Sequence, residues 1–141
     1  MKLFSLRDVY QVDIDLLDAQ HKVILIYMNK VYNYLTADKM KNRLLELADR
    51  LVKYCKLHYQ DEEMFMEETN FPEIVEHKAQ HVLIIANLEG FLERCTGLNT
   101  AKNIEEILLL KEKFLEHLEK FDRKYAKHKK QLDNMLTESS Q

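Results

Sequence analysis

The stretch His58–His81, HYQDEEMFMEETNFPEIVEHKAQH, contains two pairs of metal-binding side chains. The first pair is His58 and Glu62, and the second is His77 and His81. Residues four apart on an α-helix lie about 40° apart around its axis, so each pair can bind a single ion. The only proline of the chain lies between the pairs and favours a break in the helix. The stretch therefore predicts two helices that form a hairpin beside a metal site.

The composition of the chain favours a single all-α domain. Hydrophobic residues make up 46% of 141 residues, with only two glycines and one proline, which are few turn residues for a sheet protein. The net charge is −3, without the basic clustering of nucleic-acid-binding proteins. No apolar run has the length of a membrane span, and the start MKLFSLRD has no signal-peptide core. We therefore expect a cytoplasmic protein, with no nucleic-acid or membrane partner, in which Cys55 and Cys95 are free thiols.

Apolar residues recur at intervals of three and four in four segments, as is typical of amphipathic helices. The expected helices cover residues 18–36, 39–68 and 73–95, and a fourth begins near residue 100. Their short connections predict an up-down-up-down four-helix bundle. The expected domain organisation is an extended N-terminal arm over 1–17, the bundle over 18–123 and a helical C-terminal extension of the same domain over 124–141.

Helical rise places the histidines of the four helices at nearly one height. The pairs of the hairpin lie about 8 residues before and about 6 residues after its turn, so their heights match within roughly 3 Å. His117 of the fourth helix reaches the same level, and His21 of the first helix fits it less well. A lone histidine on an apolar stripe is more often a hydrogen-bonded core residue. Five histidines on inward stripes at one height favour a shared site, with a plain bundle as the alternative, and we expect His128 to be solvated.

Asp122 follows His117 at a spacing that does not suit a regular helix. Five residues correspond to about 140° around the axis, so the two side chains would point in different directions. Asp122 can reach the site only if the helix ends or bulges by one residue between them, and such bulges are frequent at functional sites. The alternative is a surface position for Asp122 among its charged neighbours.

These residues resemble the hemerythrin family. The resemblance covers roughly residues 10–126, and with no second domain it is strongest to the single-domain bacteriohemerythrins. The motifs that carry it are His21 in DAQHK, His58-x-x-x-Glu62, His77-x-x-x-His81 and His117-x-x-x-x-Asp122.

The resemblance implies a non-haem di-iron centre, with two iron ions per chain joined by a solvent-derived oxo or hydroxo bridge. Seven residues would hold the ions: His77, His81 and His117 the first, His21 and His58 the second, and Glu62 and Asp122 both. One position would stay open for O2 on the ion with two histidines. The O2 pocket would be lined by Ile24, Tyr59, Phe114 and Leu118, for which ordinary core packing is an equal interpretation.

The function implied by the resemblance is reversible O2 binding, for oxygen storage, delivery or scavenging, by a monomer that is not an enzyme. An oxygen-requiring enzyme as the recipient of O2 stays open. The alternatives are a di-iron peroxidase or nitric-oxide-handling enzyme, and an oxygen or iron sensor module. Three positions depart from the common family pattern: Leu6 stands about where many relatives have tryptophan, Asp13 where glycine is common, and Tyr59 where phenylalanine is frequent. A Tyr59 hydroxyl that points inward would contact bound oxygen or admit water.

Overall fold

The computed structural model describes residues 10–37, 41–95 and 99–139. Within these ranges the regular structure is helical, and no strand occurs. The helices are α1 (Asp15–Thr36), α2 (Lys41–Glu68), α3 (Ile74–Arg94), α4 (Thr100–His117) and α5 (Arg123–Ser139), with a π-helical turn (Leu118–Asp122) joining α4 to α5. The predicted all-α four-helix bundle is confirmed, and none of the helices described is long and apolar enough to cross a membrane.

The first four helices form a ring around one apolar core. Helix α1 packs against α2 and α4, and α3 completes the ring between α2 and α4. Each helix contributes fully buried side chains, among them Val31, Leu51, Leu88 and Ile107. Burial of one such side chain stabilises the fold by about 1.5–3 kcal/mol, so the core supplies the main force that aligns the helices. Cys55 and Cys95 are free and buried.

Helix α1 begins at Asp15, three residues before the expected position. The Asp18 carboxylate accepts hydrogen bonds from the backbone N–H groups of Val12 (2.8 Å) and Asp13 (3.1 Å), which precede the helix. Asp18 therefore lies in the first turn of α1 and does not mark the start of the helix, which begins three residues before it. Asp13 has a φ of 59°, in the left-handed region that favours glycine.

A Schellman motif ends α2 and forms the hairpin that leads into α3. The N–H of Phe71 donates to the carbonyl of Met66 (2.9 Å), and the N–H of Asn70 donates to that of Glu67 (3.1 Å). Asn70 has a φ of 52°, as this motif requires at its first residue outside the helix. The helix end expected around the only proline is therefore observed, and it places the two ligand pairs on adjacent antiparallel helices.

A second apolar cluster closes the hairpin end of the bundle. It contains Val12, Leu17, Met66, Phe71, Tyr125 and Ala126, so it joins the segment before α1, the hairpin and the start of α5. His128 of α5 also reaches the hairpin, where its Nε2 donates to the carbonyl of Thr69 (2.8 Å). His128 is therefore half-buried and hydrogen-bonded, not fully solvated as expected, because a basic sequence neighbourhood does not reveal that this face of α5 meets the Thr69 carbonyl just after α2. Residues 1–9 of the expected N-terminal arm lie outside the described residues.

Candidate metal centre

Seven side chains from the four bundle helices and the π-helical turn meet inside the bundle. Each of them is at most 3% exposed. They are His21 of α1, His58 and Glu62 of α2, His77 and His81 of α3, His117 of α4 and Asp122 of the π-helical turn. The structure thus brings together every residue that the family resemblance assigns to metal binding.

These side chains form two groups that share both carboxylates. Glu62 and Asp122 join His77, His81 and His117 in one group, and His21 and His58 in the other. The donor atoms of each group all lie within 4.8 Å of one another. Ligands at about 2.1 Å from an octahedral ion lie about 3 Å apart in adjacent positions and about 4.2 Å apart in opposite ones. Each group therefore has the dimensions of a site for one ion.

The two oxygens of Glu62 face different histidine groups. Oε1 lies 3.1 Å from Nε2 of His77 and 2.8 Å from Nε2 of His81. Oε2 lies 3.1 Å from Nε2 of His58 and 3.4 Å from Nε2 of His21. A carboxylate in this orientation can bind one ion through each oxygen.

Asp122 repeats this arrangement from the opposite side of the bundle. Its Oδ1 lies 3.0 Å from Nε2 of both His77 and His117, and its Oδ2 lies 3.2 Å from Nε2 of His21. The π-helical turn makes these contacts possible, because the wider turn brings a residue five positions after His117 back to the same face. The bulge that the five-residue spacing required is therefore present, and the surface alternative for Asp122 is excluded.

Several polar atoms directed into the centre have no hydrogen-bond partner within the described ranges. They include Nε2 of His58, Nε2 of His117 and both carboxylate oxygens of Asp122. An unpaired buried polar atom costs about 1–3 kcal/mol, so such a cluster needs compensation. Imidazole nitrogens and carboxylate oxygens are common ligands of iron, zinc and manganese. The donor set therefore fits a metal centre.

Four of the seven residues have strongly shifted pKa values, because histidines and carboxylates lie close together away from solvent. Burial alone would lower the pKa of His21 and His77, but the adjacent Asp122 and Glu62 carboxylates raise each pKa to about 9. Burial alone would raise the pKa of both carboxyls, and Glu62 would further raise that of Asp122. The neighbouring histidines, His58 for Glu62 and His117 for Asp122, nevertheless hold both pKa values well below their usual range. Without a metal, the protonated rings of His21 and His77 balance the two buried carboxylates.

Three residues outside the predicted set contact it directly. The hydroxyl of Tyr125 donates to Oε2 of Glu62 (2.9 Å), Gln20 contacts the Nδ1 of His58, and Glu63 contacts the Nδ1 of His81. Each is close in sequence to one of the seven: Gln20 precedes a histidine, Glu63 follows Glu62, and Tyr125 lies three residues after the aspartate on the same helical face. This closeness in sequence to predicted metal ligands was the signal by which the three residues could have been found.

The four residues expected to line an O2 pocket are all buried beside the centre. Ile24, Phe114 and Leu118 are at most 1% exposed, and Tyr59 is 3% exposed. The Tyr59 ring stacks on His81, with ring centroids 3.9 Å apart, and its hydroxyl has no hydrogen-bond partner within the described residues. Tyr59 and Phe114 also line a cavity of about 10 Å³, large enough for roughly one water molecule.

A four-helix bundle with a buried cluster of histidines and carboxylates is typical of a cation-binding helical domain. Comparison with known protein families leads to the same class. The model of the hemerythrin family, described as the hemerythrin HHE cation binding domain, matches residues 12–128. The chain belongs to the hemerythrin family.

Curated relatives include bacteriohemerythrins from two bacteria that match most of the chain. That of Clostridium acetobutylicum is 25% identical over 128 residues, covering 87% of this chain and 98% of the relative. That of Methylococcus capsulatus is 22% identical over 109 residues, covering 77% and 82%. Among solved structures, a point mutant of hemerythrin superposes with a TM-score of 0.78 at 20% identity, covering 89% of this chain and 96% of that one. The structural similarity supports the fold.

Proposed function

We propose that this protein binds O2 reversibly at a non-haem di-iron centre and is not an enzyme. The observation that carries the proposal is the orientation of Glu62 and Asp122, each of which turns one oxygen toward each histidine group. Two carboxylates in this orientation are suited to bridging two ions. The family membership and the names of the curated relatives support iron and O2 as the cofactor and the ligand.

The ligand count leaves a place for O2. Five imidazole nitrogens, four carboxylate oxygens and a solvent-derived bridge shared by both ions would fill eleven of about twelve positions around two octahedral ions. The open position would fall on the ion held by two histidines, His21 and His58. Two ferrous ions would supply the electrons that O2 takes up on binding.

The protein's own residues favour reversible binding by keeping the centre rigid and dry. Ile24, Phe114 and Leu118 are buried apolar walls that exclude water from the site. Tyr125 fixes Glu62 through the hydrogen bond to Oε2. Five neutral imidazoles stabilise oxidised iron less than the carboxylate-rich ligand sets of ferritin-like bundles, so release of O2 is favoured over further oxidation.

A redox enzyme on the same ligands is the second candidate, and Tyr59 is the residue that favours it. Its hydroxyl is buried beside His81 and has no hydrogen-bond partner in the described part of the chain, so it could donate a hydrogen bond to a bound peroxide or nitric oxide. Catalytic turnover with either compound, faster than in Tyr59→Phe, would support the enzyme. Stable cycling of O2 without turnover would support the carrier.

The direct test is anaerobic loading with ferrous iron, followed by cycles of O2 addition and removal. We expect about two irons per chain and a visible charge-transfer band that appears with O2 and fades on its removal. Irreversible oxidation with two irons bound would favour the enzyme or a sensor, and failure to bind iron would overturn both. Quantifying zinc and manganese in the same samples checks the identity of the metal, because the ligands accept all three.

We further propose that the protein acts as a cytoplasmic monomer. Val75, Val82 and Leu83 of α3 have exposed apolar side chains. If two copies of the chain associated, we would expect contact at this surface. Light scattering over a range of protein concentrations would detect it, and a constant monomer mass would support the proposal.

A further inference from the structure

The outer ring nitrogen of His58 is held by a neutral amide. Its Nδ1 lies 2.7 Å from Oε1 of Gln20, and Nε2 of Gln20 donates to Oδ2 of Asp61 at 2.7 Å. Since a carboxylate only accepts, the Asp61 contact fixes which end of the Gln20 amide faces His58. The amide oxygen also only accepts hydrogen bonds, so the proton of His58 is on Nδ1. The Nε2 atom therefore keeps its lone pair for binding a metal.

The outer nitrogen of His81 is held by a carboxylate. Its Nδ1 donates to Oε2 of Glu63 at 2.8 Å, while its Nε2 faces Oε1 of Glu62. A carboxylate partner makes the imidazole a stronger electron donor than an amide partner does. His58 and His81 are therefore oriented in the same way but differ in how strongly they would bind an ion.

These two histidines belong to different groups. His58 is in the group with His21, and His81 is in the group with His77 and His117. The Nδ1 atoms of His21 and His117 have no hydrogen-bond partner within the described residues, so neither compensates for the difference. One group thus has a histidine supported by an amide and the other a histidine supported by a negative charge.

Three consecutive acids of α2 create this arrangement. Successive residues of a helix are separated by 100°, so Asp61 and Glu63 flank Glu62 on opposite sides. Asp61 faces α1 and holds Gln20, Glu62 faces the centre, and Glu63 faces α3 and holds His81.

We propose that the group of His77, His81 and His117 takes up the first metal ion and the group of His21 and His58 the second, with Glu63 and Gln20 adding to the difference in affinity that the extra imidazole creates. The proposal rests on the di-metal centre proposed above and adds the order of its assembly. Both groups share Glu62 and Asp122, so these carboxylates do not distinguish them. The first group has one more imidazole and the carboxylate-supported ring, and both features strengthen binding.

The test is a titration of the metal-free protein with cobalt(II) under nitrogen. Calorimetry and the visible absorption of the ion monitor each addition. The wild type should bind two ions in two resolved steps. Glu63→Gln keeps a hydrogen-bond acceptor and removes the charge, so it should weaken the first step by about 10-fold or more and leave the second nearly unchanged. Gln20→Glu, made together with Asp61→Asn so that an amide and not a second carboxylate faces the new carboxylate, should strengthen the second step by about 10-fold and bring the two together.

Matched controls make the same chemical changes at exposed positions. Glu68→Gln at the end of α2 and Gln131→Glu on α5 should leave both steps unchanged. Proton NMR of the cobalt protein gives a readout that a folding defect would not imitate. One equivalent of cobalt should shift the exchangeable ring protons of three histidines, and the second equivalent should add those of two more.

The outcomes separate the order of loading from the proposed function. Binding of fewer than two ions by the wild type would overturn the di-metal centre itself. Two ions in one unresolved step, or a first equivalent that shifts the protons of only two histidines, would overturn the order and leave the di-metal centre intact. A Glu63→Gln protein that loses affinity equally in both steps would show that Glu63 does not distinguish the groups.

Discussion

His117 and Asp122 lie five residues apart, and yet Nε2 of the histidine is 3.0 Å from Oδ1 of the aspartate. The π-helical turn Leu118–Asp122 produces this contact by adding one residue to the turn that separates them. The pair connects α4 to the centre at the point where α5 begins. The prediction for His117 that follows rests on this geometry.

Replacement of His117 by alanine should abolish stable iron binding. It removes one nitrogen from its group and leaves the neighbouring Oδ1 of Asp122 without its closest nitrogen contact from α4. We expect iron per chain after ferrous loading and gel filtration to fall from about two to well under one. His128→Ala is the matched control, because His128 donates to the Thr69 carbonyl and lies outside both groups. Full iron retention in His117→Ala would contradict the ligand assignment.

Replacement of Tyr125 by phenylalanine should destabilise the metal-free protein. The change removes the buried hydroxyl that donates to Oε2 of Glu62 at 2.9 Å. A hydrogen bond to a charged group contributes about 1.5–3 kcal/mol, so the free energy of unfolding in urea should fall by about that amount. An unchanged midpoint and slope would mean that the hydroxyl does not stabilise the carboxylate.

The same change at Tyr59 should have the opposite sign. The Tyr59 hydroxyl is buried and has no partner within the described residues, so its removal relieves an unsatisfied polar group. We expect Tyr59→Phe to raise the free energy of unfolding of the metal-free protein by about 1 kcal/mol. Since Tyr59 and Tyr125 undergo the same substitution, each serves as the control for the other, and a loss of stability in Tyr59→Phe would indicate a hydrogen bond to solvent in the cavity.

Replacement of Asp13 by glycine should stabilise the protein. Asp13 has a φ of 59°, and glycine adopts the left-handed region without the steric cost that other residues carry. Its ion pair with Lys130, at 3.2 Å, is exposed and contributes little. We expect a gain of about 0.5 kcal/mol in urea unfolding. Asp15→Gly, inside α1, should instead cost about 0.5–1 kcal/mol, and a gain there would undermine the backbone explanation.

The stability of the metal-free protein should fall as the pH rises above 6.5. The pKa of His21 and of His77 rises from 6.5 in the unfolded chain to about 9 in the folded one, so the stabilisation is complete below pH 6.5 and is lost through pH 9. Glu62 and Asp122 have lowered pKa values, so their contribution is present above their ordinary pKa values of 4.5 and 3.8 and is lost as the pH falls. The maximum should therefore lie between about pH 5 and 6.5.

Urea unfolding at several pH values between about 4 and 9 measures this profile. Saturating zinc provides the comparison, because the ion binds the deprotonated rings and its affinity rises with pH. The zinc-loaded protein should therefore keep a nearly constant stability over the range in which the metal-free protein loses it, because above pH 6.5 these rings carry no proton either in the zinc-bound folded state or in the unfolded chain. Parallel profiles with and without zinc would contradict the assignment of these histidines.

Helical periodicity predicted the bundle and the clustering of five histidines with Glu62, whereas the seventh residue, Asp122, was assigned to the site through the family resemblance. The spacing of His58, Glu62, His77 and His81 determines their faces and heights before any packing is known. The spacing of His117 and Asp122 required a bulge, and periodicity alone could not choose between that bulge and a surface aspartate.

The contacts around the centre were not predictable in the same way. Gln20 and Glu63 are one residue from a ligand position and therefore about 100° away from it, so their partners depend on the neighbouring helices. His128 was misplaced for a similar reason, since its partner at Thr69 is 59 residues away. The start of α1 was placed too late because Asp18 binds the segment before the helix.

The three consecutive acids Asp61, Glu62 and Glu63 constrain how the chain can change in length. One residue inserted into α2 ahead of them would rotate all three by 100° and give each acid its neighbour's position. Substitutions on the exposed face of α2 leave their directions intact, so the helix tolerates changes of sequence much better than changes of length. Among homologous chains, gaps in an alignment should therefore fall in the connections between helices and avoid the interior of α2.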